Sequence, residues 1–261
     1  MSNNSILLKI ENNIAFVTLN RPEVFNSFNR EMALRLQSVL ADCETNEHVR
    51  ALVLTGSGKA FCAGQDLKEV TTPELNPGFK KILEEHYNPI IKKIRSIKKP
   101  VIAAVNGVAA GAGANIALAC DVVVAHEKVS FIQAFSKIGL VPDSAGTFFL
   151  PRLIGFQKAS ALAMLGDKVS AEEAERIGMI YKVVALENFK EEIEALALKM
   201  ASMPTKALGM IKELLNQSMT NDLDAQLAME STYQIEAAQS EDYREGVAAF
   251  IEKRQPNFKG K

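Results

Sequence analysis

Three stretches of the chain hold residues whose types and spacing can do chemistry. In residues 136–149, SKIGLVPDSAGTFF, one carboxylate, Asp143, stands between a proline and a run of small residues. Taken alone it reads as an N-cap, its oxygen accepting from the first unpaired N–H groups of a following helix, with Ser144 able to share the task. The other two stretches are glycine-bearing turns, residues 59–67 (KAFCAGQDL) and residues 106–115 (NGVAAGAGAN). Each admits three readings: a tight connection, a phosphate-binding loop, or one half of an oxyanion hole. Gly111-Ala-Gly113 lacks a third glycine at the offset that a dinucleotide fold requires, and no acid closes a following strand, which weakens the phosphate reading. Two helix N-termini with unpaired N–H groups, opened by small residues, can instead converge on one oxygen that gains charge.

The elements that must hold these turns read as α/β. Residues 6–10 and 14–19 are apolar runs around Glu11-Asn12-Asn13, a hairpin signal, and Met32, Leu36, Val39, Leu40 and Cys43 follow at helical spacing. Residues 51–54, 101–105 and 122–125 are runs apolar on both faces, as expected of strands covered by helices. A helical region is expected over residues 79–97, and a helix of small residues between Gly107 and Ala119. Beyond Pro204 only helical spacing remains, with Leu208, Ile211, Leu214 and Leu215 forming one stripe, then Leu223 and Leu227, then Val247, Phe250 and Ile251. The chain is therefore divided into a core over 1–203 and a helical region over 204–261.

Composition narrows the class. Apolar residues make up 48% and charged residues 23% of 261, with a net charge of -1, so nothing in the overall balance recruits nucleic acid or membrane. Cys43, Cys62 and Cys120 are odd in number and lie at no ligand-like interval from His48, His86 or His126, so no metal and a reducing cytoplasm are expected. The N-terminal MSNNSILLKIENN lacks the basic and apolar blocks of a secretory signal. Residues 101–120 have spanning length but are rich in Ala and Gly and include Asn106 and Asn115, and they read as protein interior.

KAFCAGQDL, NGVAAGAGANIALACD and SFIQAFSKIGLVPDSAGTFFLPRLIG, in that order and spacing, resemble the successive motifs of the enoyl-CoA hydratase/isomerase (crotonase) superfamily. The likeness runs from the first strand to FIEKRQPNF near the C-terminus. It implies a spiral of strand-strand-helix units, a helical C-terminal region used for assembly into a trimer or a dimer of trimers, and an acyl-CoA thioester as substrate. No separate cofactor is implied, because coenzyme A is part of the substrate. The resemblance assigns the oxyanion donors to the backbone N–H groups of Gln65 and Ala112. It assigns the coenzyme A arm to Ala63, Gln65, Asp66, Leu67 and Lys68, with Phe250 and Lys253 reaching it from the last helix. Without the resemblance, Phe250 reads as core and Lys253 as solvated.

The departures from the family pattern choose between its chemistries. Members that add water hold it between two glutamates, and the matching positions here are Asn115 and Phe135, expected beside the substrate. Neither transfers a proton. Asp143 matches the acid of the family's isomerases, which leaves the cap a secondary role, and Phe135, Val141 and Phe148 are expected to raise its pKa by desolvation. The likeness is greatest to a branch that isomerises the CoA thioester of a ring epoxide. A second class stays open through Lys92, Lys93, Arg95, Lys98 and Lys99, because one superfamily member binds RNA through a lysine-rich helix; solvated charge is the more ordinary reading, and nucleic acid is not expected as a partner.

Overall fold

A computed structural model describes residues 4–261; the first three residues of the segment read for a targeting signal lie outside it. Strands β1 (Ile6–Glu11) and β2 (Ile14–Leu19) pair antiparallel, and Asn12 and Asn13 between them take φ of 51° and 61°, as a two-residue hairpin turn requires. Helix α1 (Arg30–Thr45) starts at Asn29, whose side chain accepts from the Met32 N–H, and it buries Met32, Leu36, Val39, Leu40 and Cys43 as their spacing predicts. Next come β3 (Ala51–Gly56), β4 (Ala60–Cys62), α2 (Leu67–Thr71), α3 (Phe79–Lys81) and α4 (Asn88–Ser96). A π-helical turn, Ile82–Tyr87, links α3 to α4 and turns both His86 and Tyr87 inward.

The following stretch corrects one expectation. Residues 107–119 are not one helix: β5 (Val101–Val105) is followed by a short strand, β6 (Val108–Ala110), and α5 starts only at Ala112 (Ala112–Leu118). The same step recurs at β7 (Val122–His126) and β8 (Ser130–Ile132). In each case the chain lays a strand in a large sheet, turns a corner and adds a short strand to a smaller one. β9 (Lys168–Ser170) and β10 (Lys182–Val184) complete two sheets, of order β1-β2-β3-β5-β7-β10 and β4-β6-β8-β9. Away from the β1–β2 and β8–β9 pairs the neighbours are parallel. This is the expected spiral of strand-strand-helix units, and it brings successive corners, with the turns that follow them, to one edge of the molecule.

The remaining helices are α6 (Gly146–Ile154), α7 (Phe156–Leu165), α8 (Ala171–Arg176), α9 (Phe189–Ser202), α10 (Thr205–Gln217), α11 (Leu223–Ala238) and α12 (Glu241–Glu252). The stripe expected on α10 is not its buried face. Thr205, Gly209, Met210 and Lys212 are buried, while Ile211 and Leu215 are exposed. The reason is an ion cluster: Asp121 accepts from Lys212 (2.8 Å), Arg95 (3.0 Å) and the Val101 N–H (2.8 Å), and these bonds dock α10 on the core through its polar side. Helix α11 buries no residue at all, although Leu223, Leu227 and Ile235 are apolar.

Of the five basic residues expected on one helix, Lys98 and Lys99 lie beyond the end of α4 and Lys92 is exposed, and the other four charges meet partners within the chain. Lys93 pairs with Glu44 (2.6 Å), Arg95 with Asp121 and Lys98 with Glu213 (3.3 Å), and the Lys99 ammonium donates to the Cys43 and Asn46 carbonyls. That leaves little free positive charge for a phosphate backbone. No described helix is long and apolar enough to cross a membrane.

Candidate active site

The turn after β4 is built around Phe28. Its N–H donates to the Gly64 carbonyl (2.7 Å) and its carbonyl accepts from the Asp66 N–H (2.8 Å), so the N–H of Gln65, between them, points away from this bridge. Among the described residues it meets no backbone acceptor. Ala112 is the first residue of α5, where no preceding helical carbonyl is available to its N–H. The two amides are drawn together by close packing. A Cβ on Gly113 would lie 2.3 Å from the Cys62 carbonyl oxygen, so only glycine lets α5 seat against the end of β4. A Cβ on Gly64 would lie 3.5 Å from the Ala112 nitrogen. The ring of Phe135, buried, closes over Gly111 from the other side.

Around the same turn Ala63, Leu67 and Lys68 are exposed, whereas Asp66 is engaged. One Asp66 oxygen caps α2 through the Lys68 N–H (3.0 Å) and the other takes Arg21 (2.8 Å). The side chain of Gln65 is fixed from both ends: the Tyr87 hydroxyl donates to its carbonyl oxygen (2.9 Å), and its NH2 donates to Glu69 (2.7 Å), which also accepts from the Arg30 N–H. Burial pushes the Tyr87 phenol well above its ordinary pKa, with Cys62, Asp143, Glu69 and Asp66 adding to the effect, so it remains a donor. Tyr87 escaped the sequence reading because a buried aromatic on a helical face has the same signature whether it packs or positions.

Asp143 does not cap α6. The residue preceding that helix is Ala145, with no side-chain cap, because Ser144 and Ala145 are both left-handed (φ 51° and 60°) and the chain turns before the helix begins. The Gly146 N–H closes this turn on the Asp143 carbonyl (2.8 Å). Two consecutive residues of this conformation, neither glycine nor asparagine, cost of order 1–3 kcal/mol each. The Asp143 carboxyl accepts from the Ser144 hydroxyl (2.9 Å) and, unlike Asp66 and Glu69, meets no cation or backbone amide among the described residues. Burial pushes its pKa up to about 6, with the Ser144 hydrogen bond opposing. Of the three apolar neighbours expected to cause this, Phe135 is buried, but Val141 is 80% exposed and Phe148 lies at the surface.

Asn115 was expected to face the substrate. Its NH2 instead donates to the Asp143 carbonyl (2.8 Å) and its oxygen accepts from Gln133 (2.8 Å), with the residue 1% exposed. Phe250 and Lys253 are not brought to the turn: α12 packs on α11 within the chain, and Phe250 is 85% exposed. Cys43, Cys62 and Cys120 are buried thiols, pushed up to about 11, 12 and 12 by desolvation. Among the described residues no group of three or more His, Cys, Asp or Glu is arranged to hold a metal.

A profile of the enoyl-CoA hydratase/isomerase family matches residues 9–261. The chain belongs to the enoyl-CoA hydratase/isomerase family. It is an enzyme of that family, and its relatives span both of the chemistries in the family's name. A 1,2-epoxyphenylacetyl-CoA isomerase of Escherichia coli is 47% identical over 258 residues, covering 98% of each chain. A protein of Rhodobacter capsulatus named probable enoyl-CoA hydratase is 45% identical over 261 residues and the full length of both. Among solved structures, an enoyl-CoA hydratase from Bacillus anthracis superposes with a TM-score of 0.91 at 32% identity, over 98% of this chain and 100% of that one. The fold is thus that of a solved hydratase while the sequence relatives carry both names, and the choice between the two chemistries rests on the site.

Proposed function

We propose that the enzyme isomerises an acyl-CoA thioester with one proton carrier, Asp143. The carboxylate takes a proton from a carbon of the acyl group. The thioester oxygen becomes an enolate held by the N–H groups of Gln65 and Ala112, and the Asp143 carboxyl returns the proton at another carbon. The observation that carries this reading is the state of Asp143: a buried carboxyl with no cation partner among the described residues, raised to about 6, and so able to alternate between base and acid near neutral pH. Asn115, tied to the main chain of Asp143, and Phe135, apolar, leave no second acid at the positions where the family's hydratases hold water.

The acyl group most in keeping with the similarity to the Escherichia coli protein is 2-(1,2-epoxy-1,2-dihydrophenyl)acetyl, with the seven-membered oxepin thioester as product. Purified enzyme assayed against the ring epoxide, a β,γ-enoyl-CoA and straight-chain α,β-enoyl-CoAs tests this. Turnover of the ring epoxide well above the others is expected. Turnover of straight-chain substrates alone would return the enzyme to fatty-acid chemistry.

The exposed apolar residues of α10, α11 and α12, Phe250 foremost, favour assembly through the helical C-terminal region into a trimer or a dimer of trimers. Such an assembly would bring a neighbour's surface to Phe250 and Lys253. Sedimentation at micromolar concentration is expected to give a multiple of three; a folded monomer would exclude it.

A further inference from the structure

One hydrogen bond links the acid to the helix that carries one of the donors, and two others hold its ends in place. The Asp143 carbonyl accepts from Asn115 Nδ2 (2.8 Å) and from the Gly146 N–H (2.8 Å), and Asn115 Oδ1 accepts from Gln133 Nε2 (2.8 Å). The orientation of both amides follows from chemistry. A backbone carbonyl only accepts, so Asn115 must present its NH2 to Asp143; its oxygen then faces Gln133, which must present its NH2 in turn. This leaves Gln133 Oε1 buried with no partner among the described residues.

Space is reserved for the contact as well. A Cβ on Gly146 would lie 2.3 Å from Asn115 Nδ2, so a side chain there would drive the amide away. Asn115 sits on α5 three residues after Ala112, one turn from the proposed oxyanion donor. The bond to Asp143 therefore runs between the two halves of the proposed machinery, the helix that presents an N–H and the left-handed turn that aims the carboxyl.

We propose that Asn115, held in its donating orientation by Gln133, is the positioning residue for Asp143, fixing the carboxyl relative to the helix that begins at Ala112. The proposal rests on the reading of Asp143 as the proton carrier. Because the amide touches main chain and not substrate, its loss lets the carboxyl drift while the thioester still binds, so the cost falls on turnover and not on affinity.

Asn115→Ala and Gln133→Met, assayed with a β,γ-enoyl-CoA beside wild type and Asp143→Asn, test it. The methionine keeps the length of glutamine but has no donor, so nothing holds the Asn115 oxygen and the amide loses its fixed orientation. Both variants are expected to lose in kcat, Asn115→Ala by about tenfold or more, while KM stays within about threefold, with native circular dichroism. Should Asn115→Ala fail to fold, Gln133→Met reads the same split. Wild-type kcat in either folded variant, or a loss carried by KM, with Asp143→Asn inactive, overturns the positioning role alone. An active Asp143→Asn overturns the reading beneath it.

Discussion

Asp143→Asn is expected to reduce isomerisation by orders of magnitude and to melt no earlier than wild type at pH 8. The amide cannot carry the proton, but its oxygen still accepts from the Ser144 hydroxyl, and no helix cap is lost because Asp143 does not cap α6. The pH dependence has a definite sign. A carboxyl raised from 3.8 to about 6 in the folded state favours the protonated form, so its contribution to stability is fully present below pH 3.8 and is lost as pH rises through about 6. Wild type therefore carries a buried charge at pH 8 that the variant lacks, and any stability advantage of the variant should vanish by pH 3.8. The base form of Asp143 also starts the reaction, so wild-type kcat/KM is expected to rise with pH around a midpoint of about 6. Thermal melts from acid to pH 8 with a pH-rate profile check all three; a variant that stays active and melts much earlier would make Asp143 structural.

Ala112→Pro is expected to lower kcat by about a hundredfold or more, the scale of losing one oxyanion donor. Ala112 is the first residue of α5, the one helical position where proline is readily accommodated, since the N–H it removes has no intrahelical partner. The substitution thus deletes the donor and sets a ring carbon where the enolate oxygen would lie, with limited disturbance of the helix. Gln65→Ala, by contrast, leaves its backbone N–H in place and is expected to be milder. Circular dichroism must show a native fold in both; full activity in a folded Ala112→Pro would remove that amide from the mechanism.

The sequence made some elements legible and hid others for physical reasons. Runs of four or five apolar residues, as in β2, β3 and β5, declare themselves because both faces are largely buried. The three-residue strands β4, β6 and β8 carry no alternation, and their pairing partners are distant in sequence, so Val108-Ala-Ala110 reads as the start of a helix. At the site, the turns bearing Gln65 and Ala112 could be picked out from their small residues, and Asp143 from its isolation. What could not be read was which way a side chain faces. Asn115 has the composition of a substrate contact, and its bond to a carbonyl 28 positions away depends on a turn whose left-handed residues, Ser144 and Ala145, are not the types that mark such turns. Desolvation of Asp143 was expected partly from Val141, which points to solvent in the isolated chain.

The central claim is that a single carboxyl moves a proton and no water is added. Incubating wild-type enzyme with crotonyl-CoA and, separately, with a β,γ-enoyl-CoA, and weighing the products by mass spectrometry, tests it most directly. The expected result is a β,γ-enoyl-CoA converted to its α,β isomer at unchanged mass and a crotonyl-CoA left without a hydrated product. Rapid conversion of crotonyl-CoA to a thioester heavier by one water would contradict it.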